Sequence, residues 1–235
     1  MINSVLIAKN LSIGYSAKKP LHSGLNFQLF SGKLTSIIGR NAAGKSTLIK
    51  TLTKIIKPLS GEVLIGGKNI NEISQQDFAK LVSVVLTERL ASENFTVEEI
   101  ISFGRSPYTG FSGRLSKEDS SVVALVAQDL KISEFLQKPF YELSDGQKQK
   151  VMIAKALAQQ TEIIILDEPT SFLDFYAKDE IFALLKKIAS EKNIAVLVSS
   201  HDILSVLKYS DFIWEISQTG IEICDECLIH DKFKI

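Results

Sequence analysis

The chain has 235 residues, of which 45% are hydrophobic and 23% charged, with 27 basic residues set against 27 acidic ones. That is the composition of a globular protein long enough to bury a sizeable core without disulfide staples. The balanced charge excludes a protein whose affinity comes from neutralising many nucleic-acid phosphates, so no nucleic-acid partner is expected.

The N-terminal residues, MINSVLIAKNLSIGY, lack the basic start, long apolar stretch and small-residue cleavage site of a secretory signal. Apolar runs such as Val122 to Ala127 are far too short to cross a bilayer. Any membrane role is therefore expected to run through a partner. Apolar, β-branched segments predict strands at Ser4 to Leu11, Leu34 to Ile38, Val63 to Ile65 and Leu81 to Leu86. From about Thr96 to Ala127 the pattern is helical, interrupted by the turn-rich GRSPYTGFSGRLSKED with Pro107, Gly110 and Gly113. Within it, Ser116 followed by Asp119 marks a helix start. A helix is predicted from Ser144 to about Gln159, and a strand at Ile163 to Leu166. A second helix follows at Phe175 to Ser190, and a second strand at Ala195 to Val198. Apolar strands without polar alternation, separated by helices, imply an α/β fold with a parallel sheet covered on both faces. Residues 87–145 are expected to be a helical insertion between core segments 1–86 and 146–235. Near the end, Cys224 and Cys227 form a lone C-x-x-C. It could be half a metal site or a redox pair, but no second pair completes a zinc site, and two incidental thiols on a late hairpin are expected.

Gly39-Arg40-Asn41-Ala42-Ala43-Gly44-Lys45-Ser46, with Thr47 after it, fits G-x-x-x-x-G-K-[ST] in full between a predicted strand and a predicted helix. In that setting backbone N–H groups converge on phosphates, and the helix start adds positive partial charge. Lys45 supplies a point charge to the β- and γ-phosphates of ATP, and the Ser46 hydroxyl can hold Mg²⁺. The strand Ile163 to Leu166 ends in Asp167 and Glu168, at the edge where α/β sheets bind ligands. Asp167 suits support of Mg²⁺, and Glu168 suits orientation or deprotonation of an attacking water. The next strand ends in Ser199-Ser200-His201-Asp202, which lets His201 reach the γ-phosphate from the same edge.

Leu143-Ser144-Asp145-Gly146-Gln147 resembles the LSGGQ signature of ABC-type ATPases and stands, as there, about twenty residues before the Asp-Glu strand. Physically it is a second helix start, with Gly146 allowing close approach; a plain N-cap by Ser144 is the competing reading. The resemblance implies a P-loop NTPase core of the RecA type with a mainly parallel sheet, an N-terminal antiparallel β region and an inserted helical subdomain. It also implies that Ser144, Asp145, Gly146 and Gln147 act on the ATP held by the opposite subunit of a homodimer. By the same resemblance Tyr15 stacks on adenine, Asp174 of Ser171-Phe172-Leu173-Asp174 belongs to a loop crossing the dimer interface, and His201 is the switch histidine. The sequence departs from the family at three places. Ala42 replaces a glycine and is tolerable only at negative φ. Asp145 replaces the first glycine of the signature pair. The glutamine expected after Leu86 is absent, so Thr87 or Glu88 fills its place; either could give Mg²⁺ an oxygen, but neither has the glutamine's amide donor.

Gly104-Arg105-Ser106-Pro107-Tyr108 with Phe111 to Asp119 resembles the insertion of ABC importers for iron siderophores, haem and cobalamin. This implies an ATPase powering import of an iron-siderophore-type chelate, with cobalamin or haem as alternative cargo. The implied assembly adds integral membrane permease subunits and an extracytoplasmic substrate-binding protein, at the cytoplasmic face of the cell membrane. A soluble ABC ATPase serving ribosomes or chromosomes would join two cassettes or add long coiled coils, which this sequence does not show. A module sensing ATP without turnover is disfavoured by Lys45, Asp167, Glu168 and His201.

Overall fold

The computed structural model describes residues 3–87, 95–110, 113–217 and 220–224. Glu88 and Cys227 lie outside the described residues, as does the side chain of Cys224. The chain opens with β1 (Ser4–Ile13) and β2 (His22–Phe30), then β3 (Leu34–Gly39) and α1 (Lys45–Leu52). Next come β4 (Ser60–Ile65), β5 (Lys68–Asn69), the single turn α2 (Gln75–Phe78) and β6 (Val82–Val85). The helical stretch resolves into α3 (Val97–Ser102), α4 (Lys117–Asp129) and α5 (Asp145–Ala158). The remainder is β7 (Ile163–Leu166), α6 (Phe175–Lys192), β8 (Ala195–Ser199), α7 (Ile203–Tyr209), β9 (Phe212–Ser217) and β10 (Gly220–Cys224).

These strands make two sheets. An antiparallel sheet runs β2-β1-β4-β5, and a six-stranded sheet runs β10-β9-β3-β8-β7-β6. Every pairing from β9 to β6 is parallel, and β10 alone is antiparallel. The period-2 geometry of the central strands explains why they read as unbroken apolar runs. Ile163 and Ile165 of β7 face one core with Ala195 and Leu197 of β8, while Ile164 and Leu166 face the other with Val196 and Val198. The first core lies against the antiparallel sheet and α1, the second against α3 to α6. Trp214, almost wholly buried on β9, closes the junction of the two sheets, its ring 4.7 Å from that of Phe27 on β2.

Five of the six predicted strands differ in extent. The first runs two residues further, to Ile13; the second and the last each run one further, to Gly39 and Ser199; the third begins earlier, at Ser60; the fourth is trimmed to Val82–Val85. β2 and β5 have no predicted counterpart, and β9 is anticipated only as part of a late hairpin without bounds. The segment read as a turn-rich interruption contains a buried ion pair. Arg105 donates to Asp119 at 2.8 Å and to the Ala158 carbonyl and Gln160 Oε1, each at 2.7 Å. Asp119 also closes a capping box with Ser116 at the start of α4. Hydrogen bonds from Ser116, and then from Arg105, hold its carboxyl down at about 2.

Candidate functional site

β3, β7 and β8 are adjacent and parallel, so their carboxyl ends deliver three sequence-distant segments to one edge. From β3 comes the Gly39–Ser46 loop. Gly44 precedes α1 at φ +108°, and a Cβ there would lie 2.9 Å from His22 Nε2 and from Leu21 Cδ2. Only glycine satisfies both the turn and the space. α1 also has no side-chain cap, whereas α2 to α7 are each capped by a serine, threonine or aspartate side chain. Its first-turn N–H groups are thus left for a ligand, and an anion is the ligand a helix start attracts. The condition set for Ala42 fails, because its φ is +61°. The methyl is held in the left-handed region and the loop carries strain there.

Lys45 is 5% exposed and folds back over the loop, its Nζ 3.1 Å from the Gly39 carbonyl and 3.4 Å from that of Arg40. Burial pushes the Lys45 ammonium below its ordinary pKa, an effect that Glu168 and Asp167 oppose. Its Nζ stands 3.8 Å from Glu168 Oε1 and 3.1 Å from His201 Nε2. His201 Nε2 lies 2.8 Å from the same Glu168 oxygen. A ring nitrogen that donates to the carboxylate cannot also accept from the ammonium, so Lys45 then faces another donor. Both donors face the same Glu168 oxygen, so the carboxylate balances the Lys45 charge at this point.

At the end of β7, Asp167 is nearly buried, and the Ser199 hydroxyl donates to its Oδ1 at 2.7 Å while accepting the Glu168 N–H at 2.8 Å. Glu168 turns into the left-handed region at φ +46°, and Ser171 donates to its carbonyl at 2.9 Å. A non-glycine residue held at such a φ beside charged groups is a signature of a functional turn. Ser199, which ends the buried strand β8, is read in the sequence only as part of the strand end, with no role of its own. Thr87 donates its hydroxyl to the Asp167 carbonyl at 2.7 Å, which ties the end of β6 to the same turn.

Two clefts meet at Glu168. One, of about 690 Å³, is bordered by Tyr15, Leu21, Glu168 and Asn41 to Thr47. Tyr15 is 75% exposed there, an aromatic face open to a flat partner. The other, of about 470 Å³, is bordered by Glu168, Ser171, Lys178, His201 and Asp202. None of Ser144 to Gln147 lines either cleft. They start α5, where Ser144 accepts from the Gln147 N–H and Gln147 Oε1 accepts from the Ser144 N–H. The cap takes up one of the four N–H groups that a helix start leaves unpaired. Capping by Ser144 therefore leaves N–H groups at the start of α5 that an anion could take. Asp145 is exposed, and a Cβ on Gly146 would touch Ala177 of α6 at 3.7 Å. Asp174 caps α6, accepting from the Ala177 N–H at 2.8 Å. The signature residues and the Asp174 loop thus share one surface, apart from the Lys45 cleft.

For Mg²⁺, the donors on hand are the exposed Ser46 hydroxyl and the Asp167 carboxylate, one of whose oxygens is already engaged by Ser199. Among the described residues no cluster of three or more His, Cys, Asp or Glu side chains could hold a metal. A sparse set of hard oxygens beside a phosphate cradle fits Mg²⁺, which keeps waters and phosphate oxygens in its shell.

The sequence pattern of the family described as ABC transporter matches residues 22–171. An uncharacterised ABC transporter ATP-binding protein of Methanocaldococcus jannaschii is 44% identical over 207 residues, 88% of this chain and 71% of that protein. The iron(3+)-hydroxamate import ATP-binding protein FhuC of Bacillus subtilis is 33% identical, over 98% of this chain and 88% of its own. Among solved structures, a chain described as belonging to a metal-chelate type ABC transporter in an inward-facing conformation superposes with a TM-score of 0.84. It is 26% identical, and the match covers 96% of this chain and 85% of that one.

Proposed function

The chain belongs to the ABC transporter ATP-binding family, a family of ATPases, and from that premise we propose that it powers import of an iron chelate of the siderophore type. The cargo is suggested by the hydroxamate import relative and the metal-chelate transporter. On this reading two copies work as a dimer against integral membrane permease subunits, at the cytoplasmic face of the cell membrane, with an extracytoplasmic binding protein supplying the cargo. No helix among the described residues is long and apolar enough to cross a membrane. Residues 1–86 and 146–235 form the catalytic core, and 87–145 the helical subdomain.

Tyr15 takes the adenine and the uncapped start of α1 takes the phosphates, with Lys45 leaving the Gly39 and Arg40 carbonyls for phosphate oxygens. Ser46 and Asp167 would hold Mg²⁺, which when bound neutralises phosphate charge. Glu168 accepts the proton of the attacking water, and His201, aligned by Glu168, reaches the γ-phosphate. Ser144, Asp145, Gly146 and Gln147 face the nucleotide of the other copy, and Asp174 lies beside them at the seam. Each charge-assisted contact to phosphate is worth about 1.5–3 kcal/mol, so the closed dimer is favoured with ATP and loosened once the γ-phosphate leaves. That difference moves the permease. Thr87, at the place where a glutamine is usual, donates to the Asp167 carbonyl, which supports a role in signalling from the site to the permease.

The observation that carries this reading is the 2.8 Å contact between Glu168 and His201 beside Lys45, three residues supplied by three neighbouring strand ends. Its test is ATP turnover by the purified chain. Glu168→Gln is expected to keep ATP binding and lose about 10²–10⁴-fold in kcat, the range of a general base, while Lys45→Ala loses nucleotide. Turnover by Glu168→Gln at the wild-type rate removes the general-base assignment. The cargo is tested in vesicles holding the permease: iron-loaded siderophore with its binding protein should raise ATPase rate, and a response to another cargo alone rejects iron import.

A further inference from the structure

A second histidine lies beside the phosphate loop, outside every motif the sequence offered. His22 is 5% exposed at the start of β2, immediately after the Gly14 to Leu21 turn that carries Tyr15. Its Nε2 is 2.6 Å from the carbonyl oxygen of Ala43. A carbonyl only accepts, so the partner fixes the ring with its proton on Nε2. The fit is flush, since there is no room for a Cβ on Gly44 between the loop and His22 Nε2.

We propose that His22 is a positioning residue for the phosphate loop, latching the Ala43 carbonyl away from the triphosphate and joining the adenine-side turn to the phosphate cradle. The inference rests on the ATPase reading above. Its logic is the polarity of the loop. N–H groups can point at phosphate only if the adjoining carbonyls point elsewhere. The Gly39 carbonyl is held by Lys45, which must release it when it turns to phosphate, while the Arg40 carbonyl takes Lys45 and also the Ala43 N–H at 3.1 Å. The Ala43 carbonyl is held by a side chain that has no phosphate to serve. The His22 latch therefore persists through binding, next to the strained Ala42 (φ +61°), while Tyr15 and Leu21 on the same turn border the cleft.

The test uses the full chain with Mg²⁺ and four probes: ATP, ADP, AMP and adenosine. His22→Leu fills the space without a donor, and His22→Gln keeps an N–H donor. His22→Leu is expected to weaken ATP and ADP binding about tenfold, the scale of one hydrogen bond, and to raise KM for ATP more than it lowers kcat. Adenosine binding should change little, and His22→Gln should recover most of the loss. Thermal unfolding without nucleotide shows whether each variant is folded, and His22→Gln carries the test if His22→Leu is not. Equal losses for adenosine and ATP, or ATP binding by His22→Leu as tight as wild type, overturns the latch alone. A wild-type chain that neither binds nor hydrolyses ATP overturns the ATPase reading and the latch with it.

Discussion

Ala42 holds its backbone at φ +61° in the loop proposed to meet the phosphates. For an L-residue the left-handed region costs about 1–2 kcal/mol. Glycine removes that cost, but its freer unfolded chain takes back roughly 0.4–1 kcal/mol. Ala42→Gly is accordingly expected to stabilise the nucleotide-free chain by about 0.5–1 kcal/mol, read as a higher urea midpoint at the same slope. A lower midpoint would mean that the methyl packs usefully. The candidate site residues were legible because each task proposed for them restricts the residue type at a fixed spacing: Lys45 after glycine, Asp167 and Glu168 after an apolar strand, Gly146 in the signature. The supports were not legible. Ser199 reaches the Glu168 N–H across 31 positions and His22 reaches Ala43 across 21. No local pattern marks either, because both are products of tertiary packing. The φ of Glu168 was hidden for the same reason.

Among the elements, the turn-rich GRSPY segment changes meaning once its contacts are known. It resembled a marker of importer type, and in the structure it is a clamp on the end of α5. Gly104 lies so close to this helix that an added Cβ would overlap the Lys155 carbonyl oxygen. Arg105 stacks on Tyr108 with its guanidinium carbon 4.1 Å from the ring centre, and the Tyr108 hydroxyl donates to Gln159 at 3.0 Å. The clash in Gly104→Ala involves backbone, which cannot swing aside as a side chain tip can. A loss of about 1–3 kcal/mol is expected, measured by urea unfolding, and an unchanged midpoint would show that the connection slides without cost. The elements that could be read in advance were those with one dominant period. β7 and β8 are continuous apolar runs bounded by polar turns, and α4 announces itself by its capping box. β2 was missed although Leu25, Phe27 and Leu29 alternate inward, because Gly24 and the preceding turn mask a pattern only three residues deep. β9 could not be given bounds because its value lies in Trp214, whose partner Phe27 belongs to the other sheet.

At the scale of the whole molecule, the question is whose nucleotide the start of α5 serves. Ser144 to Gln147 border neither cleft that meets at Glu168, and Gly146 faces Ala177 near the Asp174 loop. If they act on a second copy, Gly146 contributes to assembly and Lys45 to binding, and the two functions can be separated. In a Glu168→Gln background, ATP should convert monomer to dimer by size-exclusion chromatography. Adding Gly146→Asp should abolish that dimer, since a carboxylate would be pressed against the other copy's γ-phosphate, yet leave ATP affinity of the monomer within about twofold, because that site is built without it. Adding Lys45→Ala instead should remove both. Asp145 sharpens the argument. As an acid in the first turn it favours the α5 helix by about 0.3–1 kcal/mol, but the same charge opposes a phosphate approaching that helix start. Asp145→Gly should therefore form the dimer at lower ATP concentration while lowering the monomer's stability slightly. If Gly146→Asp weakens ATP binding to the monomer itself, the signature acts on its own chain's nucleotide, and the two-copy mechanism falls.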